Sequence, residues 1–263
     1  MAVALAQPAS RIVAISPHLA ELVFDAGAGS KLVAVVRGTD YPPEAAGLPS
    51  IGDAAGLDFE RIAQLRPDLV LAWGSGNRVA DIEQLAAMGM AVFVAEPRKL
   101  EDIPRHLRTI GFLAGTAAAA QTQARAFEQR LAALRSRYSG AAARSVFVEI
   151  WRQPLFTVGG RHLVSDALRV CAATNAMAEL TVDGAPVPLE WLLRRDPDAI
   201  VSALGEPHDS TRRAWAEYPG LRAVATGAVL SLPPDQLVRA TPRILDGIER
   251  VCGGLAEPRP AGE

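Results

Sequence analysis

One pattern occurs twice in this chain. Residues 59–72 read FERIAQLRPDLVLA, and residues 189–202 read LEWLLRRDPDAIVS. Each copy carries a Glu, Glu60 or Glu190, followed by apolar residues at helical spacing. Seven residues after the Glu comes Pro-Asp (Pro67-Asp68, Pro197-Asp198), and then a short apolar run of strand type. The copies lie 130 residues apart, one in each half. A fixed-register repeat at that distance points to two similar lobes. A solenoid would repeat every 20–50 residues or so. In each copy the Glu falls in the first helical turn, where the macrodipole favours a carboxylate. Proline then stops the helix and Asp turns the chain into the strand. Taken singly, each Glu also reads as nothing more than a helix-start charge.

An apolar fraction of 49% over 263 residues suffices for one large domain or two lobes. No run reaches the roughly 18 apolar residues of a membrane span. A net charge of −2 argues against a nucleic-acid partner. The N-terminus reads MAVALAQPAS, and its A-L-A-Q step looks like the end of a signal peptide. The basic start and apolar stretch of about 7–15 residues that a full signal needs are missing. Residues 1–10 therefore read as a signal remnant or a tail, with chance small residues as the alternative. The two cysteines, Cys171 and Cys252, form no C-x-x-C and have no His cluster nearby, which disfavours a zinc site. In an exported protein they would pair, and closing that loop is worth about 4.5 kcal/mol in the chain-entropy model. Two unpaired core thiols are the alternative.

The first half alternates strand-type runs (12–15, 32–36, 69–72, 91–94) with helical patterns (18–26, 59–66, 78–88, 100–114). Continuous apolar strands separated by helices imply a parallel sheet covered on both faces. Gly27 and Gly89 stand where helices should end. Residues 117–138 form the longest helical pattern, with Ala124, Phe127, Leu131, Leu134 and Tyr138 on one stripe. No Gly or Pro interrupts it, so it reads as a stiff spacer and not a flexible linker. A second series follows, with strands at 145–150, 199–202 and 228–232 and a last helix at 241–255. The fold class expected is α/β, with two Rossmann-like lobes (11–115 and 140–263) joined by one long helix (116–139). In open α/β sheets, ligands sit beyond the carboxyl ends of the strands.

Catalytic and phosphate motifs are missing from the sequence: G-x-G-x-x-G, G-x-x-x-x-G-K-[ST] and G-x-S-x-G do not occur. The four histidines (His18, His106, His162, His208) form no metal-ligand pair, so no bound metal and no cofactor are expected. This balance favours a binding protein over an enzyme.

The ordered set of motifs resembles the cobalamin-binding proteins of ABC importers. More broadly it resembles the helix-linked substrate-binding proteins for cobalamin, haem and siderophores. The resemblance runs through RIVAISPHLAELVFDAG, TDYPPEA, the 57–72 segment and AWGSGN. It continues through PLFTVGG, ALRVC, the Glu190 segment, DQLVRATPRI and ERVC, and so covers nearly the whole chain. It implies a periplasmic monomer that captures cobalamin or another macrocyclic metal chelate and meets a membrane ABC permease dimer. It implies that Glu60 and Glu190 meet permease arginines, and that Cys171 and Cys252 form a disulfide. It assigns ligand contact to Trp73 and Phe156 and polar rim positions to Asp235 and Arg239. The alternative for the last two is an ordinary i,i+4 helix pair. Tyr41 in the D-Y-P-P turn is a weaker pocket candidate. His18 could approach a ligand metal or serve as a hydrogen-bonded turn residue. The family places further aromatics where this chain has Gly38, Ala54 and the Gly184–Ala185 region, so either Trp151, Trp191 or Trp215 refills that space, or affinity falls, or the ligand differs. Haem or a ferric siderophore is the same-fold alternative, with Tyr41, His18 and His208 as possible haem ligands.

Overall fold

The computed structural model describes residues 5–53 and 55–256. Residues 1–4 of the signal-like segment and Ala54 lie outside them. The chain divides into two compact units. The first runs to Pro97 and resumes over Glu101–Glu128; the second takes Arg98–Leu100 and the chain from Gln129 onward.

The first unit begins with β1 (Ile12–Ala14), α1 (Pro17–Asp25) and β2 (Leu32–Val35), followed by the short α2 (Pro43–Ala46). A two-residue ladder, β3 (Gly52–Asp53) with β4 (Gly56–Leu57), precedes α3 (Phe59–Leu65). Then come β5 (Leu69–Trp73), α4 (Val79–Ala87), β6 (Val92–Ala95) and α5 (Asp102–Ala114). The parallel sheet has order β2-β1-β5-β6. Ile12, Val13 and Leu69–Ala72 are fully buried, as expected of central strands covered on both faces. Gly27 and Gly89 follow the ends of α1 and α4 with φ of 75° and 80°.

Next, α6 (Ala117–Tyr138) spans the boundary between the units. Its early turns belong to the first unit, where Arg108 donates to Gln121 and Glu128. Its later turns belong to the second, where Arg130 bonds Asp246 and Glu249 and Arg137 bonds Glu249. All five stripe residues read from the sequence are buried.

The second unit contains β7 (Arg144–Glu149), β8 (Phe156–Val158), α7 (Leu163–Val170), β9 (Ala173–Asn175) and β10 (Gly184–Pro186). It continues with α8 (Leu189–Arg195), β11 (Ala199–Ser202), α9 (His208–Trp215), α10 (Arg222–Ala225), β12 (Val229–Ser231) and α11 (Ile244–Ala256). Its parallel sheet has order β12-β11-β7-β9, and β8 pairs antiparallel with β10. Matching first strand to first strand, β9, β7, β11 and β12 take the places of β2, β1, β5 and β6. The sequence repeat is therefore a repeat of sheet topology. Arg98 pairs with Asp183 at 3.0 Å and the Leu100 N–H donates to Asp166, which is why this short segment, read from the pattern as first-lobe chain, packs with the second unit.

The Pro-Asp dipeptide has the same job in both units. Asp68, just before β5, accepts from the Ser10 N–H, the Ser10 hydroxyl and the Arg11 N–H, at 2.7–2.9 Å. Asp198, just before β11, accepts from the Ser145 N–H at 2.7 Å and from Arg222 at 2.8 Å. Each Asp thus ties the amino end of the third strand to that of the first. Burial alone would raise both carboxyls; the hydrogen bonds outweigh it and hold each below its ordinary value. The helix stop is one residue earlier than proline. Arg66 and Asp196 end α3 and α8 in the left-handed region, at φ 47° and 41°. The residue before a proline is pushed out of the helical region, and here it goes left-handed.

Cys171, at the C-cap of α7, is bonded to Cys252 in α11, so the disulfide ties those two helices.

Candidate functional site

In the first unit, the carboxyl ends of β1 and β5 are tied by Asn77. Its Oδ1 accepts from the Trp73 N–H at 2.6 Å and its Nδ2 donates to the Ile15 carbonyl at 2.8 Å. This fixes Trp73, the last residue of β5, at the edge where ligands bind such sheets. The indole is half buried. It meets the His18 ring edge-on, centroids 5.1 Å apart and planes at 85°. On another side it lies so close to Gly76 that an added Cβ would sit 1.8 Å from the ring. His18 is 6% exposed and shares a 2.8 Å hydrogen bond with Ser16 Oγ. Its position braces the indole from within the unit. Tyr41 is 41% exposed, in the turn before Pro42. Gly38 has φ +85° and nothing within 4 Å of a built Cβ, so space is open there.

In the second unit, Glu149 closes β7 and is fully buried. Arg152 forks onto it, Nε to Oε1 at 2.7 Å and Nη2 to Oε2 at 3.1 Å. Arg152 Nη1 donates to both oxygens of Glu206, at 2.8 and 3.2 Å. The buried Trp215 donates its indole N–H to Glu149 at 3.1 Å. Bonding to Glu149, then to Glu206, raises the Arg152 guanidinium above its ordinary value against the opposing effect of burial. A cavity of about 510 Å³ adjoins this cluster, with Leu155, Val187, Leu189, Trp215, Glu217 and Tyr218 among its walls. Phe156 is half buried on β8. Its ring takes the space that a side chain at Gly184 would need, since a Cβ there would lie 2.7 Å from it. Trp151 pairs with Phe156 across an isolated bridge and is 62% exposed, so it is the tryptophan beside this aromatic. Trp215 lines the cavity, and Trp191 stands 41% exposed on α8.

Asp235 and Arg239 lie on the segment before α11. The segment is not the α-helix that an i,i+4 helical pair would need: Pro234–Gln236 is a single 3₁₀ turn, and Asp235 pairs with Arg243. Among the described residues, no three His, Cys, Asp or Glu side chains gather for a metal ion.

Glu60 and Glu190 occupy the same place in the two units: the first turn of α3 and of α8, both exposed. Asp58 caps α3 by accepting from the Arg61 N–H at 2.9 Å, and Glu60 Oε1 accepts from Gln64 Nε2 at 3.5 Å. A hollow of about 490 Å³ opens beside it, lined by Asp58, Glu60, Arg61, Gln64 and Leu65. The start of α8 has no side-chain cap.

Residues 12–236 match the model of the family described as periplasmic binding protein. The chain belongs to that family. It is 34% identical over 260 residues to the vitamin B12-binding protein of Yersinia pestis (strain Pestoides F), covering 98% of this chain and 91% of that one. The crystal structure of the periplasmic vitamin B12 binding protein of Vibrio cholerae superposes with a TM-score of 0.88 at 31% identity, over 94% of this chain and 97% of that one. A periplasmic heme binding protein of Pseudomonas aeruginosa superposes with a TM-score of 0.80 at 26% identity, over 96% and 95%. The two α/β domains with parallel sheets are the fold these proteins share.

Sequence reasoning missed the Glu149–Arg152–Glu206–Trp215 cluster. The available signal was a lone acid ending the apolar run SVFVE, because a carboxylate in a buried strand needs a partner.

Proposed function

We propose that this protein is the extracytoplasmic substrate-binding protein of an ABC importer, binding cobalamin or a related corrinoid and handing it to the permease. The observation that carries this reading is the likeness to vitamin B12-binding proteins over nearly the full length of both chains. The sites agree with it chemically. Trp73 offers an indole to the flat face of a macrocycle, Phe156 a second aromatic, and Asp235 and Arg239 polar rim groups. Tyr41 adds an exposed ring, while His18 acts through Trp73. In this reading Glu60 and Glu190 engage permease arginines, because exposed carboxylates at matching positions of two repeated units suit a two-fold partner.

Isothermal calorimetry with cyanocobalamin tests the ligand: one site per chain is expected, and absence of heat would refute it. The haem reading is favoured by one observation, the structural likeness to a heme binding protein. Haemin titrated in parallel distinguishes the two.

A further inference from the structure

The loops after β7 and β11 are fastened to each other by charge. Glu149 ends β7, Arg152 follows three residues later, and Glu206 lies beyond β11 with its carbonyl accepting from Ser231 Oγ of β12 at 2.6 Å. Arg152 bridges the two carboxylates, and its Nε, Nη1 and Nη2 are each already donating. This places the bridge at the carboxyl ends of three strands, the edge at which open α/β sheets meet their ligands. Its side chains remain partly open to solvent, Arg152 at 28% and Glu206 at 36%. The cavity beside it adds the exposed Glu217. Around Arg152 and the cavity stand three carboxylates, Glu149, Glu206 and Glu217, and Arg152, the guanidinium in the cavity wall, is bonded to two of them.

Two kinds of macrocycle can be told apart by such an edge. Haem and many iron chelates present carboxylates; the corrin rim presents neutral amides. A ligand carboxylate at this edge meets an Arg152 whose charge is already shared by two carboxylates, so Glu206 repels it more than Arg152 attracts it. A ligand amide can donate N–H to Glu206, which has acceptor capacity on both oxygens. We infer that Glu206, held on Arg152, is a specificity-determining residue that favours a neutral amide-bearing macrocycle over a carboxylate-bearing one. This rests on the corrinoid reading above and adds a selectivity that the reading does not itself require.

The test holds the macrocycle constant. Cyanocobalamin is compared with the monocarboxylic acids made by hydrolysing one peripheral amide at a time, each titrated into the wild-type protein and into Glu206→Gln. In the wild type at least one acid should bind about tenfold or more weakly than the parent, the scale of one charge-assisted contact. In Glu206→Gln that ratio should shrink to about threefold or less, with the parent titrated beside each acid so that any change in its own affinity cancels. If every acid matches the parent in the wild type, the inference is overturned, and this comparison does not depend on the variant folding. An unchanged ratio in Glu206→Gln would likewise overturn the assignment to Glu206. Failure of cyanocobalamin itself to bind would instead remove the corrinoid reading and this inference with it.

Discussion

Removing the disulfide should destabilise the second unit by an amount its loop length sets. Cys171 and Cys252 are 81 residues apart and both are buried. Closing a loop of that size costs the unfolded chain about 15 cal/mol/K, or about 4.5 kcal/mol at 25 °C. That figure is an upper estimate, because the unlinked chain keeps residual structure and α7 still packs on α11. The double variant Cys171→Ala/Cys252→Ala should therefore lose about 2–4.5 kcal/mol. Alanine is the suitable replacement, since serine would bury two hydroxyls at sites 2% and 1% exposed. Urea unfolding followed by tryptophan fluorescence reads the change, because Trp215 is buried in this unit. The midpoint should fall and the slope should rise, as an unlinked chain exposes more surface. Cyanocobalamin affinity of the folded variant should stay close to wild type, because the bridge joins two helices and touches none of the proposed ligand residues. A loss below about 1 kcal/mol, with the wild type verified as oxidised, would refute the loop-entropy argument.

Three further outcomes are expected. Trp73→Ala should weaken cyanocobalamin binding by about 1–3 kcal/mol in calorimetry, the scale of a large apolar contact; unchanged affinity would exclude Trp73 from the site. Glu60→Arg combined with Glu190→Arg should leave ligand affinity nearly unchanged but abolish uptake into vesicles carrying the permease, and normal uptake would exclude the docking role. Asp68 and Asp198 have carboxyls held below their ordinary value, so their contribution is present above the unfolded carboxylate range, near pH 3.9 or so, and lost as pH falls through the lower folded values. Asp68→Asn and Asp198→Asn should flatten the drop in Tm on acidification below about pH 4, and an unaltered pH profile would contradict the clamp.

The sequence made the duplication legible because the Glu, helix, Pro-Asp and strand fall in one register. It did not reveal that Asp68 and Asp198 reach across to Ser10 and Ser145, since those partners lie more than 50 residues away. The long helix was readable from its unbroken stripe. The short strands β8, β9 and β10 were not, because three residues carry too little periodicity to distinguish them from loop. Arg66 and Asp196 were hidden in their left-handed conformation because neither is glycine. At the site, Trp73 was readable as the end of an apolar strand, but its support by His18 and Gly76 depends on the fold. Asp235 showed the limit of spacing arguments: four residues to Arg239 suggested an α-helical setting, whereas the segment is a 3₁₀ turn and Asp235 pairs with Arg243.

The most direct test of the central claim is competitive capture. Purified protein is incubated with equimolar cyanocobalamin and haemin, passed through gel filtration, and its absorption spectrum recorded. The account predicts the corrin spectrum at one equivalent per chain, with little haem absorption. A protein peak carrying haem, or neither chromophore, would contradict it.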